Sequence, residues 1–157
     1  MSVYKNLENL GLLLPTPPAK GGLYTPAKRF GKNLVYVSGC GPAIDAPVSG
    51  KLGESFHVAA GQVHARNAML NVLSVLEQEI GDLNQVQTIA KLLVFVASTD
   101  NFYNQPDVAN GASELLADLF GAEALPARSA IGVNVLPNNI PVEIEALFEI
   151  KGEASCD

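Results

Sequence analysis

The hydrophobic positions change their period several times along the chain. Residues 23–30 and 34–38 read as two strands joined at Gly31-Lys32-Asn33, a hairpin pattern. Residues 43–56, rich in Gly, Pro and Ser, predict a loop. In "VAAGQVHARNAMLNVLSVLEQEIGDL", Ala65, Met69, Val72, Leu76 and Ile80 recur at helical spacing, and Gly81-Asp82 marks the stop. "VQTIAKLLVFVAST" is dense in branched residues and predicts a central strand. "NQPDVANGASELLADLFG" predicts a second helix, with Leu115, Leu116, Leu119 and Phe120 as its apolar face and Gly121 as its end. Two final strands flank a turn at Pro137-Asn138-Asn139. Ahead of all this, Leu7 and Leu10 suggest a short amphipathic helix, and Pro15, Pro17 and Pro18 an extended connection.

The order is therefore strand, strand, helix, strand, helix, strand, strand. It predicts an α+β fold with one sheet and two helices packed on one face. The other face is left for solvent or a partner. In the last two strands, alternation puts Arg128, Ala130, Gly132 and Asn134 on one side and Ser129, Ile131, Val133 and Val135 on the other. Val142, Ile144, Ala146, Phe148 and Ile150 then oppose Glu143, Glu145, Leu147 and Glu149. The expectation is that both branched faces pack under the helices, which leaves Arg128, Glu143 and Glu145 together on the helix-free face.

Composition narrows the class. The 157 residues, 48% of them hydrophobic, predict one domain with a substantial core. We divide it into an N-terminal extension (1–21), a core (22–151) and a tail (152–157). A formal charge of -6 argues against general nucleic-acid binding, and Lys20, Lys28, Arg29 and Lys32 read as a solvated loop and strand edge. Two cysteines, one of them Cys156 in a polar tail, argue against a structural disulfide and suit a reducing cytoplasm. No apolar run approaches a membrane span, and no secretory pattern opens the chain.

The chemistry that stands out is one guanidinium near two carboxylates, with small neighbours at Ala130 and Gly132. Arg grips a carboxylate with two parallel hydrogen bonds, and Glu can hold or activate water for attack on C=N or C=O. Patterning leaves two readings open: a ligand site, or a modest cross-sheet salt bridge between Arg128 and Glu143 or Glu145. His57 and His64 lack the spacing and companions of a zinc pair and read as surface residues. Cys40 reads as a small apolar filler, and "GCGP" has neither the Lys nor the spacing of a phosphate loop. Asn110-Gly111 reads equally as a cleft lining or as a helix-packing step.

"PARSAIGVNVLP" followed by "PVEIEALFEI" resembles the C-terminal signature of the RidA/YjgF family, the reactive-intermediate enamine/imine deaminases, many of which carry endoribonuclease labels. The resemblance extends over roughly residues 20–151 and takes in "LVYVSG", the helix with Arg66 and Asn71, and "VANGASELLADLFG". It implies a chorismate-mutase-like fold and a homotrimer whose helix-free faces pack about a three-fold axis, with ligand clefts between subunits. It also implies that Arg128 binds the substrate carboxylate, that Glu143 is linked to the attacking water, and that Tyr24 and Gly39 line the pocket. The spacing from Tyr24 to Gly39 is one residue longer than in the family. Ala130 stands where the better-known members carry a Cys, which removes a thiol but leaves the Arg clamp.

The implied activity is hydrolysis of 2-enamine/2-imine acids to 2-keto acids and ammonia, with no metal or organic cofactor. The partners would be a small carboxylate substrate and further copies of the chain, with no nucleic acid and no membrane. The alternative is a trimer that binds small carboxylates or keto acids without turnover. A ribonuclease reading is disfavoured by the acidic balance and by the absence of a His pair in the signature strands.

Overall fold

The computed structural model of the chain describes residues 2–152; Cys156 and most of the tail lie outside them. Five strands form a single mixed sheet: β1 (Ala27–Phe30), β2 (Leu34–Cys40), β3 (Val86–Ala97), β4 (Ala127–Val133) and β5 (Val142–Ile150). Their spatial order is β1-β2-β5-β3-β4, antiparallel throughout except for the parallel β3–β4 pair at one edge. The helices are α1 (Val3–Asn9), α2 (Val58–Ile80) and α3 (Gln105–Phe120). Element order, both long helices and the single sheet agree with the pattern of the sequence. The first strand begins later than expected, at Ala27; the short helix expected near the start forms and packs against α3.

The buried residues explain the layering. Ala65, Met69, Val72 and Leu76 of α2 and Leu115, Leu116 and Leu119 of α3 are essentially inaccessible. They lie on Val35 and Val37 of β2, Leu92 and Val94 of β3, and Ile144, Ala146 and Phe148 of β5. Burial on this scale, at about 25 cal/mol per Å2 of apolar surface, drives the fold. The two long helices approach closely because position 111 is glycine: a Cβ there would overlap the backbone of Gln62. The helix α1 docks through Val3 and Leu7 rather than Leu7 and Leu10, and Asn6 Nδ2 donates to the Leu119 carbonyl at 2.8 Å. Leu10 is the residue that ends the helix and is exposed.

The face of β4 departs from the expectation. Arg128 is in register with Leu92, Leu92 with Ala146, and Ala146 with Val37. The last three are all buried under the helices. Arg128 and Ala130 therefore lie on the helix face of the sheet. The other row runs Ile131, Phe95, Glu143 on the helix-free face. Alternation within each strand is as expected, but the phase of β4 relative to β5 is inverted. Ile131 on the helix-free face remains 44% exposed, and Val135 just beyond β4 66%.

Candidate functional site

Glu143 and Gly39 form one half of the candidate site. Between Val37 and Cys40 strand β2 gains a residue relative to β5, a bulge that re-aims the side chains beside it. Gly39 stands at this bulge, and the Glu143 carboxylate fills the place where a Cβ on residue 39 would project. Beyond it, the backbone is pinned from the core side: buried Asn71 donates from Nδ2 to the carbonyls of Gly41 at 2.9 Å and Ala43 at 2.8 Å. The opposite rim is the Pro137–Asn139 turn, where Asn138 and Asn139 take left-handed backbone angles (φ 55° and 57°) that Asn tolerates.

These elements enclose a half-open cavity of about 590 Å3. Tyr24, Ser38, Gly39, Cys40 and Glu143 line it, together with residues 18–21 of the N-terminal segment. Burial raises the Glu143 carboxyl above the usual carboxylate range, and the Glu145 charge adds to the effect. Burial likewise pushes the Cys40 thiol up to about 12, with Glu143 contributing, so the thiol is protonated at neutral pH and is no nucleophile. Tyr36, on the same face, is held near 12 by burial and by its hydrogen bond to Glu145.

Arg128 forms the other half, at the β4 edge and outside this cavity. Its Nη1 donates to Asn110 Oδ1 at 3.0 Å and Ser113 Oγ at 2.8 Å, and its Nη2 to the Pro106 carbonyl at 3.2 Å. All three acceptors are neutral. The salt bridge with Glu143 or Glu145, one of the two readings left open by the patterning, does not form, and no carboxylate among the described residues lies in salt-bridge range. The guanidinium is thus fixed in direction while its charge stays uncompensated. Three of its five N–H donors are used in these bonds, and two remain for an external anion. Ala130, two residues on, is half-buried on the same face as Arg128 and packs against the core.

The five predicted site residues therefore divide: Tyr24, Gly39 and Glu143 converge on one cavity, and Arg128 and Ala130 lie elsewhere. The Asn110–Ser113 cradle is half visible in the sequence. Asn110 stands out there beside Gly111, but its i, i+3 partner on the β4-facing side of α3 does not. His64 departs from expectation too. Both its ring nitrogens are buried without a hydrogen-bond partner among the described residues, and its ring meets Phe56 edge-on at 4.6 Å. No group of His, Cys, Asp and Glu among the described residues has the arrangement of a metal site. No helix among them is long and apolar enough to cross a membrane.

Comparison with known proteins places this geometry. The family described as Endoribonuclease L-PSP matches residues 16–150. Protein TCP17 of Trypanosoma cruzi is 41% identical over 151 residues, 94% of each chain. Among solved structures, protein Atu1372 of Agrobacterium tumefaciens superposes with a TM-score of 0.87 at 37% identity, covering 96% of this chain and 94% of its own. The YjgF gene product of E. coli superposes with a TM-score of 0.61 at 26% identity, covering 88% and 98%.

Proposed function

The chain belongs to the endoribonuclease L-PSP family, the RidA/YjgF family, and from that premise we propose that it hydrolyses small 2-imino acids, the tautomers of 2-enamines, in a site shared by two copies of the chain. One copy supplies Arg128; its neighbour supplies Glu143, Gly39 and Tyr24. The observation that carries this reading is the register. Arg128 and Glu143 occupy opposite faces of one sheet, each half polarised and incomplete. A homotrimer that sets the β4 edge of one copy against the Glu143 cavity of the next would supply the juxtaposition, and the exposed Ile131 and half-buried Phe95 give the helix-free face an apolar surface to bury. The two-cysteine composition supports a reducing compartment, the cytoplasm.

The chemistry needs little. Arg128 takes the substrate carboxylate through two N–H bonds, which orients the adjacent iminium carbon toward the neighbour's Glu143. A water held by Glu143 adds to that carbon as the carboxylate accepts one water proton. The carbinolamine nitrogen takes that proton, C–N cleavage expels ammonia, and the remaining hydroxyl passes its proton through Glu143 to the departing ammonia, which leaves as ammonium as the ketone forms. A desolvated carboxyl with a raised pKa suits a group that must both accept and return a proton. Gly39 keeps the space the carboxylate needs. No step calls on a metal or organic cofactor.

The test generates imino acids in situ with an amino-acid oxidase and traps them with semicarbazide. The wild type should suppress trapping, and Arg128→Ala should abolish the suppression while leaving the fold intact. A wild type that binds 2-keto acids yet spares every imine offered would support the alternative, a carboxylate-binding trimer that uses Arg128 without Glu143 chemistry.

A further inference from the structure

The cavity has a wall from which the hydrolytic reading uses only Tyr24. Ahead of β1, residues 18–24 run without helix or strand and close one side of it. The segment is anchored upstream by α1 and by Leu12 and Leu14, which pack on the core. It is also braced on itself: the Gly21 N–H donates to the Tyr24 hydroxyl at 3.2 Å, and Lys20 Nζ reaches the Tyr24 carbonyl at 3.4 Å. Among the described residues, Lys20 and Glu143 are the only charged ones lining the cavity. No carboxylate among them lies in salt-bridge range of Lys20. Lys20 Nζ instead lies beside the Tyr24 carbonyl, on the 18–24 side of the space, and forms no salt bridge with Glu143.

We propose that Lys20 reads a second anionic group on the ligand, so that the site prefers 2-imino and 2-keto dicarboxylates to monocarboxylates of equal length. The inference rests on the shared-site reading above, in which Arg128 of a second copy holds the first carboxylate and C2 faces Glu143. The rest of the ligand then extends along the cavity toward the 18–24 wall. The cavity of the single chain, about 590 Å3, has room beyond an acid of three or four carbons. Lysine is well matched to such a role, since a compact charge on a flexible stem finds a carboxylate without demanding one geometry.

Calorimetric titration of the full chain with 2-oxoglutarate and with 2-oxopentanoate tests this without turnover. The wild type should bind the diacid about fivefold more tightly, as befits a partly solvated ion pair. Lys20→Met should erase that ratio with 2-oxopentanoate unchanged, Lys20→Arg should keep most of it, and Arg128→Ala should weaken both acids. Equal wild-type affinities would overturn the proposal, as would a Lys20→Met variant that weakens both acids alike, which marks a structural brace. If neither acid binds, this inference and the shared-site reading fall together. If the ratio holds but no imine is hydrolysed, the deaminase reading falls and the role of Lys20 stands.

Discussion

Arg128 and Glu143 stand on opposite faces of the same sheet, separated by register as well as by side. A single copy cannot bring both to one small substrate. Copies in which only one of the two is replaced should therefore complement each other. Arg128→Ala and Glu143→Gln, each inactive alone, should recover activity when co-refolded. Random mixing in a shared site leaves about one quarter of sites with both residues intact. Activity measured against mixing ratio decides it: a strictly flat line at zero, with mixed oligomers demonstrated by mass, would mean that each site draws on one chain.

Most of the fold is legible in the sequence because local signals and burial agree. The α2 positions Ala65, Met69, Val72 and Leu76 are all buried as their spacing requires, and Gly81 adopts the left-handed angle (φ 84°) of a helix stop. The face of β4 is not legible, and the reason is physical. Ile131, Val133 and Val135 look like a core row, yet Ile131 and Val133 line up with the helix-free side. An apolar row on the open face of the sheet has the same composition as one covered by a helix. Glu143, by contrast, falls on the expected face, because Ile144, Ala146 and Phe148 admit only one direction for β5.

Gly39 offers a sharper probe of the carboxylate than removing it. Its backbone needs no left-handed angle, so alanine brings no backbone strain, and the atoms nearest its Cβ would all belong to the flexible Glu143 side chain. Gly39→Ala should therefore change stability by less than about 1 kcal/mol. Moving the carboxylate by even an ångström should cost about 100-fold in kcat. Thermal melts beside imine-trapping kinetics check both halves. Unchanged kcat in a folded Gly39→Ala protein would remove the positional demand on Glu143.

The raised Glu143 carboxyl ties function to stability. Its folded pKa lies above the unfolded value, so the folded state holds the proton more tightly. That contribution is complete below the unfolded value of about 4.3 and is lost as pH rises through the folded value. At neutral pH the ionised group is thus a burden. Glu143→Gln should raise Tm by about 2–4 °C at pH 7 and by progressively less toward pH 4, while kcat collapses. A Tm gain that stayed constant across this range would place its origin somewhere other than the carboxyl.

The Arg128 cradle should show itself in binding rather than in chemistry. Asn110 and Ser113 hold Nη1 from one side of α3 and touch neither the cavity nor Glu143. Asn110→Ala and Ser113→Ala should each raise KM by about tenfold, in line with the loss of a hydrogen bond to a charged group, with kcat reduced far less. Ser113→Thr, which keeps the hydroxyl, should recover most of the affinity. Equal losses in kcat and in kcat/KM for both alanine variants, with KM unmoved, would contradict a positioning role.

Protonation of His64 opposes folding in acid. Burial lowers its pKa, so the folded state resists a proton that the unfolded chain accepts near pH 6.5. The neutral imidazole therefore contributes its full stability above that value, and the contribution is lost as pH falls through the depressed folded value. Even neutral, the ring finds no hydrogen-bond partner for its buried nitrogens among the described residues. Phenylalanine keeps the edge-on contact with Phe56 and removes both liabilities. His64→Phe should melt higher than wild type at pH 7, and the gap should widen toward pH 5. Urea denaturation at the two pH values measures it. A gap that narrows on acidification would mean that His64 gains a partner for its proton, and the buried imidazole could not then be the acid-labile point of the fold.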